Sequence, residues 1–242
     1  MTAPHSLPCL PEDWQTALAV VAHPDDLEYG AASAVARWTS QGKEVRYLLA
    51  TRGEAGIDAM DPAQVGPLRE EEERRSARAV GVHGVEFLDH PDGVVTYSLA
   101  LRQDITRAIR RHRPDILLTI NHHLAWSGGA LNMADHRWVG LAVLDAARDS
   151  GNRWIFPELL AEGIEPWQGV RMVCVNASPQ PTHAVDVTDF IDHGIASLLE
   201  HRVYLQHLSD AGDPATFLRQ QAFETGQQCG CLYAVSFEVI TM

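Results

Sequence analysis

Residues 17–28 read Ala-Leu-Ala-Val-Val-Ala-His-Pro-Asp-Asp-Leu-Glu. The first six, Ala17–Ala22, are an uninterrupted apolar run that stops at a polar cluster. A run of that length, apolar at every position, predicts a strand buried on both faces. Pro24 stiffens the chain just past its end. Leu27 to Gln41 then carries apolar residues at helical spacing, with Gly42 as the stop. A strand without a polar face needs helices over both sides of its sheet, which makes the chain α/β.

The alternation continues outward from that unit. Val45–Thr51 reads as a second strand. Pro67–Val80 reads as a helix with proline early, acids in its first turn and Gly81 closing it. Val85–Leu88 and Ile116–Ile120 are further strands. Between them Leu99–His112 is a basic amphipathic helix, broken by Pro114. Asp135–Arg148 is a helix, Val170–Val175 a strand, Val187–His207 and Pro214–Gln228 two more helices, and Leu232–Ile240 an extended end. The expectation is a single Rossmann-like domain over residues 1–242, with a mainly parallel sheet flanked by helices and residues 1–15 as an irregular N-terminal extension. Two long glycine-containing loops, Arg52–Gly66 and Asn121–Ala134, each follow a strand. Ligands in such sheets bind beyond the carboxyl ends of the strands, so these loops and the turn at His23 mark the expected site.

Composition narrows the function. Among 242 residues, Lys and Arg number 19 and Asp and Glu 32, for a net charge of −13. That balance argues against nucleic acid, which requires clustered cations. The one basic cluster, Arg107–Arg113, fits an exposed helix face. No apolar stretch approaches the roughly 20 residues that span a bilayer, and the start MTAPHSLPCLPEDWQ carries no secretion signal. Cys9, Cys174, Cys229 and Cys231 have neither zinc-finger nor disulfide spacing and read as reduced thiols of a cytoplasmic protein. The sheet edge leaves a homo-oligomer open. The 12 histidines invite a metal or proton-transfer explanation.

His23, Asp25 and Asp26 fall within four residues at the predicted active edge. His136 follows the fourth strand, at the start of a helix. Two imidazoles and a carboxylate are a natural zinc set, with a fourth position for water. The competing structural reading is a capped strand–helix junction with Asp26 as N-cap. A dinucleotide site is the least favoured reading, because His-Pro-Asp-Asp stands where G-x-G-x-x-G would admit a pyrophosphate.

Ala22-His-Pro-Asp-Asp-Leu-Glu-Tyr-Gly30 resembles the signature of the LmbE-like, or PIG-L, zinc-dependent N-deacetylases. Further stretches are similar to that family: Thr51-Arg-Gly-Glu-Ala-Gly56, Leu68-Arg69-Glu70 through Val80-Gly81-Val82, Phe87-Leu88-Asp89 to Asp92-Gly93, and Ile195–Gln206 with Leu199-Glu200-His201. The resemblance implies deacetylation of an N-acetylated small molecule, an N-acetylglucosamine-type sugar conjugate. It implies His23, Asp26 and His136 as ligands of one Zn2+ per chain, another divalent metal also fitting. It implies Asp25 as the general base that takes a proton from the attacking water and passes it to the departing amine. Arg69 matches a substrate-gripping position, with an ion pair to Glu72 or Glu73 as the structural alternative. Asp92 is a candidate for a sugar hydroxyl, Glu54 for support of the site, and Trp126 for stacking under a sugar ring.

One departure stands out. The family's second motif is H-x-D-H, whose first histidine stabilises the tetrahedral intermediate. Here that position is Met133, which has no hydrogen to donate, and Asp135 loses the histidine it would orient. His122, His123 and Asp135 are the candidates for compensating support. Two other readings therefore stay open: an amidase or esterase acting on a larger acyl group at the same site, and a metal-binding protein with little activity.

Overall fold

In a computed structural model of the chain, which describes residues 6–208 and 212–242, β1 (Thr16–Val21) is buried from its second residue onward. Its neighbours are β2 (Glu44–Leu49) on one side and β4 (Ile116–Ile120) on the other, both parallel to it. β3 (Gly84–Phe87) extends the sheet beyond β2, and β5 (Met172–Asn176) extends it beyond β4, again in parallel. The far edge is antiparallel: β7 (Ala234–Thr241) lies against β5, and β6 (His183–Asp186) against β7. The strand order is β3-β2-β1-β4-β5-β7-β6.

Side chains of β1 and of Ala22 just after it alternate between two cores, as extended-chain geometry dictates. Ala17, Ala19 and Val21 join one that includes Trp38, Tyr47, Ala77 and Phe237. Leu18, Val20 and Ala22 join another that includes Leu101, Ile105, Val139 and Val143. The first core takes in α1 (Ala32–Ser40) and the end of α2 (Pro62–Ala79); the second takes in α3 (Leu99–His112) and α4 (Ala134–Asp149). A short α5 (Glu158–Ala161), then α6 (Ile191–Leu198), α7 (Arg202–His207) and α8 (Pro214–Cys229) complete the helices among the described residues. The expected α/β architecture with a mostly parallel sheet holds. No helix among the described residues is long and apolar enough to cross a membrane.

Several boundaries differ from expectation. The first helix starts at Ala32 rather than Leu27, because residues 27–31 form tight turns, with Gly30 and Ala31 both donating to the Leu27 carbonyl. Asp26 caps no helix; its Oδ2 accepts from the amides of Ala22 and His23, both at 2.9 Å. The second helix begins five residues earlier than Pro67, at Pro62, with the Asp61 carboxylate accepting from Ala63 N as the N-cap. The stretch read as one helix over Val187–His207 is two helices. The break at 199–201 turns His201 fully inward, and the Glu72 carboxylate accepts from the amides of Val203 and Tyr204 at the start of α7. β6 and α5 were not expected at all. Of the N-terminal extension, residues 1–5 lie outside the described part. Residues 6–15 form no regular element but are packed: Leu10 N donates to the Ala184 carbonyl, and Trp14 sits edge-on to Trp38 at 5.1 Å.

The chain runs outward through β1, β2 and β3, then returns to place β4 on the other side of β1. The direction of strand addition reverses between β1 and β4. Sheets of this kind open their ligand crevice beyond the carboxyl ends of the strands at that reversal. The residues after β1 are His23–Asp26, and the loop after β4 leads to His136.

Candidate metal centre

His23, Asp26 and His136 meet at that crevice, and all three are buried. His136 Nε2 lies 3.1 Å from His23 Nδ1 and 3.1 Å from Asp26 Oδ1, and His23 Nδ1 lies 3.7 Å from Asp26 Oδ1. Three donor atoms thus converge on one point. Each is aimed by a partner on its far side. Asp26 Oδ2 accepts the two β1-end amides already described. His136 Nδ1 is 3.1 Å from Asn132 Oδ1, and Asn132 is fixed by donating to the carbonyls of Asn121 and His123. His23 Nε2 faces Asp92 Oδ1 at 3.0 Å and Asp135 Oδ2 at 3.2 Å. A ring nitrogen turned to a carboxylate or carbonyl while the other faces a shared point is how metal-bound histidines are held. The donor set, two imidazoles and one carboxylate, fits zinc or a similar divalent ion.

Electrostatics agree with that fit. Burial works to lower the His23 pKa, yet hydrogen bonds to Asp135, Asp26 and Asp92 carry it well above the usual imidazole value. Burial works to raise Asp26, yet His136 and His23 hold it far below the usual carboxylate range. The pocket is therefore strongly cation-seeking.

Asp25 is beside this cluster but not in it. Its backbone is left-handed, with φ of 102°, a conformation that an aspartate adopts only when its surroundings impose it. Arg69 does the imposing. Its Nη2 donates to the Pro24 carbonyl and to Asp25 Oδ1 at 3.2 Å, and its Nη1 donates to the Gly53 carbonyl at 3.0 Å. Its guanidinium also stacks on Tyr204 at 3.8 Å. Gly53 and Gly56 are needed here because a Cβ at either would collide with that guanidinium. Burial raises the Asp25 pKa, Arg69 opposes the rise, and Asp26 adds to it.

The other expected site residues divide by location. Asp92 and Trp126 line the cleft; Trp126 lies edge-on to His136 at 5.5 Å. Glu54 stands behind the cleft, its Oε1 accepting from Asp92 N at 2.9 Å and its Oε2 from Arg52 N. Arg69 lines the cleft, but both terminal nitrogens are engaged within the protein, and neither Glu72 nor Glu73 pairs with it. Asp135 reaches His23, and its carboxylate also accepts from Gly93 N and Val95 N, tying the Pro91–Val95 turn to α4. Met133 stands at the N-cap of α4 and on the cleft wall, half-exposed. His122 and His123 face Glu238 on β7 and are not among the cleft-lining residues. The cleft itself has a volume of about 740 Å³.

Sequence reasoning missed Tyr204 and Asn176. Tyr204, about 180 positions from Asp25 in the chain, reaches it only because α7 breaks from α6. Asn176, at the end of β5, is fully buried with both amide atoms unpartnered among the described residues, directly behind Gly30.

The chain is similar to several known proteins. The family described as GlcNAc-PI de-N-acetylase, PIG-L, matches residues 18–147. A diacetylchitobiose deacetylase from Thermococcus kodakarensis is 28% identical over 225 residues, covering 92% of this chain and 82% of that protein. A 1D-myo-inositol 2-acetamido-2-deoxy-alpha-D-glucopyranoside deacetylase from Kineococcus radiotolerans is 29% identical over 187 residues, covering 62% of this chain and about half of that longer protein. Among solved structures, an N,N'-diacetylchitobiose deacetylase from Pyrococcus horikoshii superposes with a TM-score of 0.85 at 24% identity, over 95% of this chain and 85% of the other. GalB from Pseudomonas putida, a 4-carboxy-2-hydroxymuconate hydratase, superposes with a TM-score of 0.73 at 20% identity, over 94% of this chain and 97% of the other. That pair shows one fold carrying two reactions, so the fold alone does not decide between them.

Proposed function

The chain belongs to the PIG-L family of GlcNAc-PI de-N-acetylases, and from that premise we propose that it is a metal-dependent hydrolase that removes the acetyl group from an N-acetylglucosamine-type sugar conjugate. The observation that carries the reading is the division of labour between adjacent acids. Asp26 is committed to the convergent donor set with His23 and His136, while Asp25 is held out of it, beside the same point, by Arg69. Hydrolysis of an amide needs those two roles separated.

In this reading His23, Asp26 and His136 hold one Zn2+, which when bound supplies Lewis acidity to a water and to the amide carbonyl. Asp25 takes the proton released as the water oxygen attacks the carbonyl carbon. It returns that proton to the nitrogen as the C–N bond breaks, leaving acetate and a free amine. The raised Asp25 pKa suits both halves, since a carboxyl nearer neutrality gives the proton back more readily. Asp135 and Asp92 keep the His23 ring turned toward the donor set. Arg69 fixes the base, and Trp126 offers a face on the cleft wall for a sugar ring. Four cysteines without a disulfide support a reducing, cytoplasmic setting.

Met133 favours a second reading, a metal-binding protein of low turnover, because it stands on the cleft wall with no hydrogen to donate to an oxyanion. One assay separates the two. Zinc-loaded protein incubated with diacetylchitobiose and simple N-acetylglucosaminides is expected to release acetate, to stop with a chelator and to resume with added Zn2+. No acetate from a panel of such amides, or release that a chelator leaves untouched, overturns the deacetylase assignment.

A further inference from the structure

The two histidines at the start of the loop after β4 belong to a different cluster. Glu238 projects from β7, at the position paired with Val175 of β5. A ring nitrogen of His122, a ring nitrogen of His123 and a Glu238 oxygen all lie within 4.8 Å of one another. His123 Nε2 is 2.8 Å from Glu238 Oε2, and the Ser178 hydroxyl donates to the same oxygen at 2.5 Å. The two imidazole rings are 4.3 Å apart. His122 Nδ1 is buried and has no hydrogen-bond partner among the described residues, so one imidazole lone pair or N–H has nothing to meet. The three side chains are only partly covered, which leaves an ion a way in. Burial, helped by His123, pushes the His122 pKa down, so its ring is neutral and able to act as a donor near pH 7.

We propose that His122, His123 and Glu238 form an auxiliary site for a divalent transition metal, separate from the centre at His23, Asp26 and His136. Two imidazoles and one carboxylate suit Zn2+, Co2+ or Ni2+ and disfavour Ca2+ and Mg2+, which call for an all-oxygen shell. The ion replaces the His123–Glu238 hydrogen bond and takes a ring nitrogen of His122 as its third donor. Through whichever His122 ring nitrogen lies in the cluster, it clamps the first residues of the 121–133 loop to β7. That loop carries Trp126 and Asn132, the latter bonded to His136, so occupancy stiffens the wall of the cleft without any contact to substrate.

The test counts metal. Apo protein dialysed against buffered Zn2+ and analysed by mass spectrometry is expected to hold two equivalents. The double variant His122→Gln/His123→Gln is expected to hold one, with circular dichroism confirming that it is folded. Glu238→Gln, a milder change, is expected to weaken the second equivalent at least tenfold while the first is unchanged. Asp26→Asn/His136→Gln is expected to keep one equivalent, the auxiliary one. A single equivalent in the wild type, or two in folded His122→Gln/His123→Gln, overturns the proposal. Two equivalents in Asp26→Asn/His136→Gln break the assignment of the catalytic centre instead; loss of one equivalent in His122→Gln/His123→Gln then still supports the auxiliary site.

Discussion

The two walls of the cleft are built to different standards. The wall after β1 is fixed from every side: Asp25 is held in a left-handed conformation by a buried arginine, which is itself bonded to Pro24 and Gly53 and stacked on Tyr204. The wall after β4 also delivers a well-braced ligand, His136 on Asn132. Three residues before that ligand, however, it presents Met133, half-exposed and without a hydrogen to give. The base is therefore over-determined, while the oxyanion side is left to whatever else reaches it. Catalysis demands both, since stabilising the developing negative charge is commonly the larger contribution. In the proposed mechanism the three metal donors and the base are both in place, and the rate is expected to be limited on the β4 side.

The sharpest break in that comparison comes from Asp25. Asp25→Asn preserves shape and the Arg69 contact but removes the basic oxygen. It is expected to lower kcat by about 10²- to 10⁴-fold, the usual worth of a general base, with metal content unchanged because none of the three donors is altered. Paired measurements of acetate release and bound zinc check it. Full activity would remove Asp25 from the mechanism; lost metal would place it in the donor set.

The β1 wall was also the more legible one. An apolar hexamer followed by His-Pro-Asp-Asp announces both a central strand and a cluster of donors, because strand and motif are contiguous. α3 and β4 were bounded correctly, since Ser98, Pro114 and the basic last turn are local signals. What stayed hidden depends on contacts distant in sequence. Nothing near residue 204 indicates that α7 must break from α6 to bring Tyr204 onto Arg69. Pro67 looked like a helix start, but the helix begins at Pro62, where the Asp61 carboxylate caps it. β6 is only four residues long and pairs with β7 more than 45 residues downstream, so its partner is invisible to any local pattern. Within the candidate site, the spacing of His23, Asp26 and His136 was readable, whereas the turning of His122 and His123 toward Glu238 depends on the β5–β7 pairing.

Two substitutions sharpen the contrast on the weaker wall. Met133→His restores a donor at the N-cap of α4. If the oxyanion is under-served there, kcat is expected to rise by on the order of 10²-fold, the lower end of what one such donor supplies. An unchanged kcat at constant metal content would mean that another group already fills the role. Asp135→Asn tests the brace behind the metal. It removes the charge that His23 Nε2 faces and leaves one acceptor oxygen, which can serve Val95 N (now on Oδ1) but not Gly93 N (now on Oδ2) as well. Zinc affinity is expected to fall about 10- to 100-fold, as for other carboxylates behind metal-bound histidines. A competition titration with a chromogenic chelator reads the change, and an unaltered affinity would leave Asp92 as the sole effective partner of that ring.

The smallest effect probes how Arg69 sets the base. Asp25 works only when ionised, so kcat/KM is expected to rise with pH through its pKa and level off above it. Burial lifts that pKa and the Arg69 guanidinium opposes the lift. Arg69→Lys keeps a positive charge but replaces a two-pronged contact with a shorter, single-pointed one. Its attraction for the carboxylate weakens, the protonated form gains, and the acidic limb of the profile is expected to move to higher pH by less than about one unit, equivalent to under about 1.4 kcal/mol. Both enzymes are compared with metal bound, so the ion's own field is common to them and the sign of the difference belongs to residue 69. A limb that stays in place while kcat falls at every pH would assign Arg69 to geometry alone, holding Asp25 in its left-handed turn without tuning its charge.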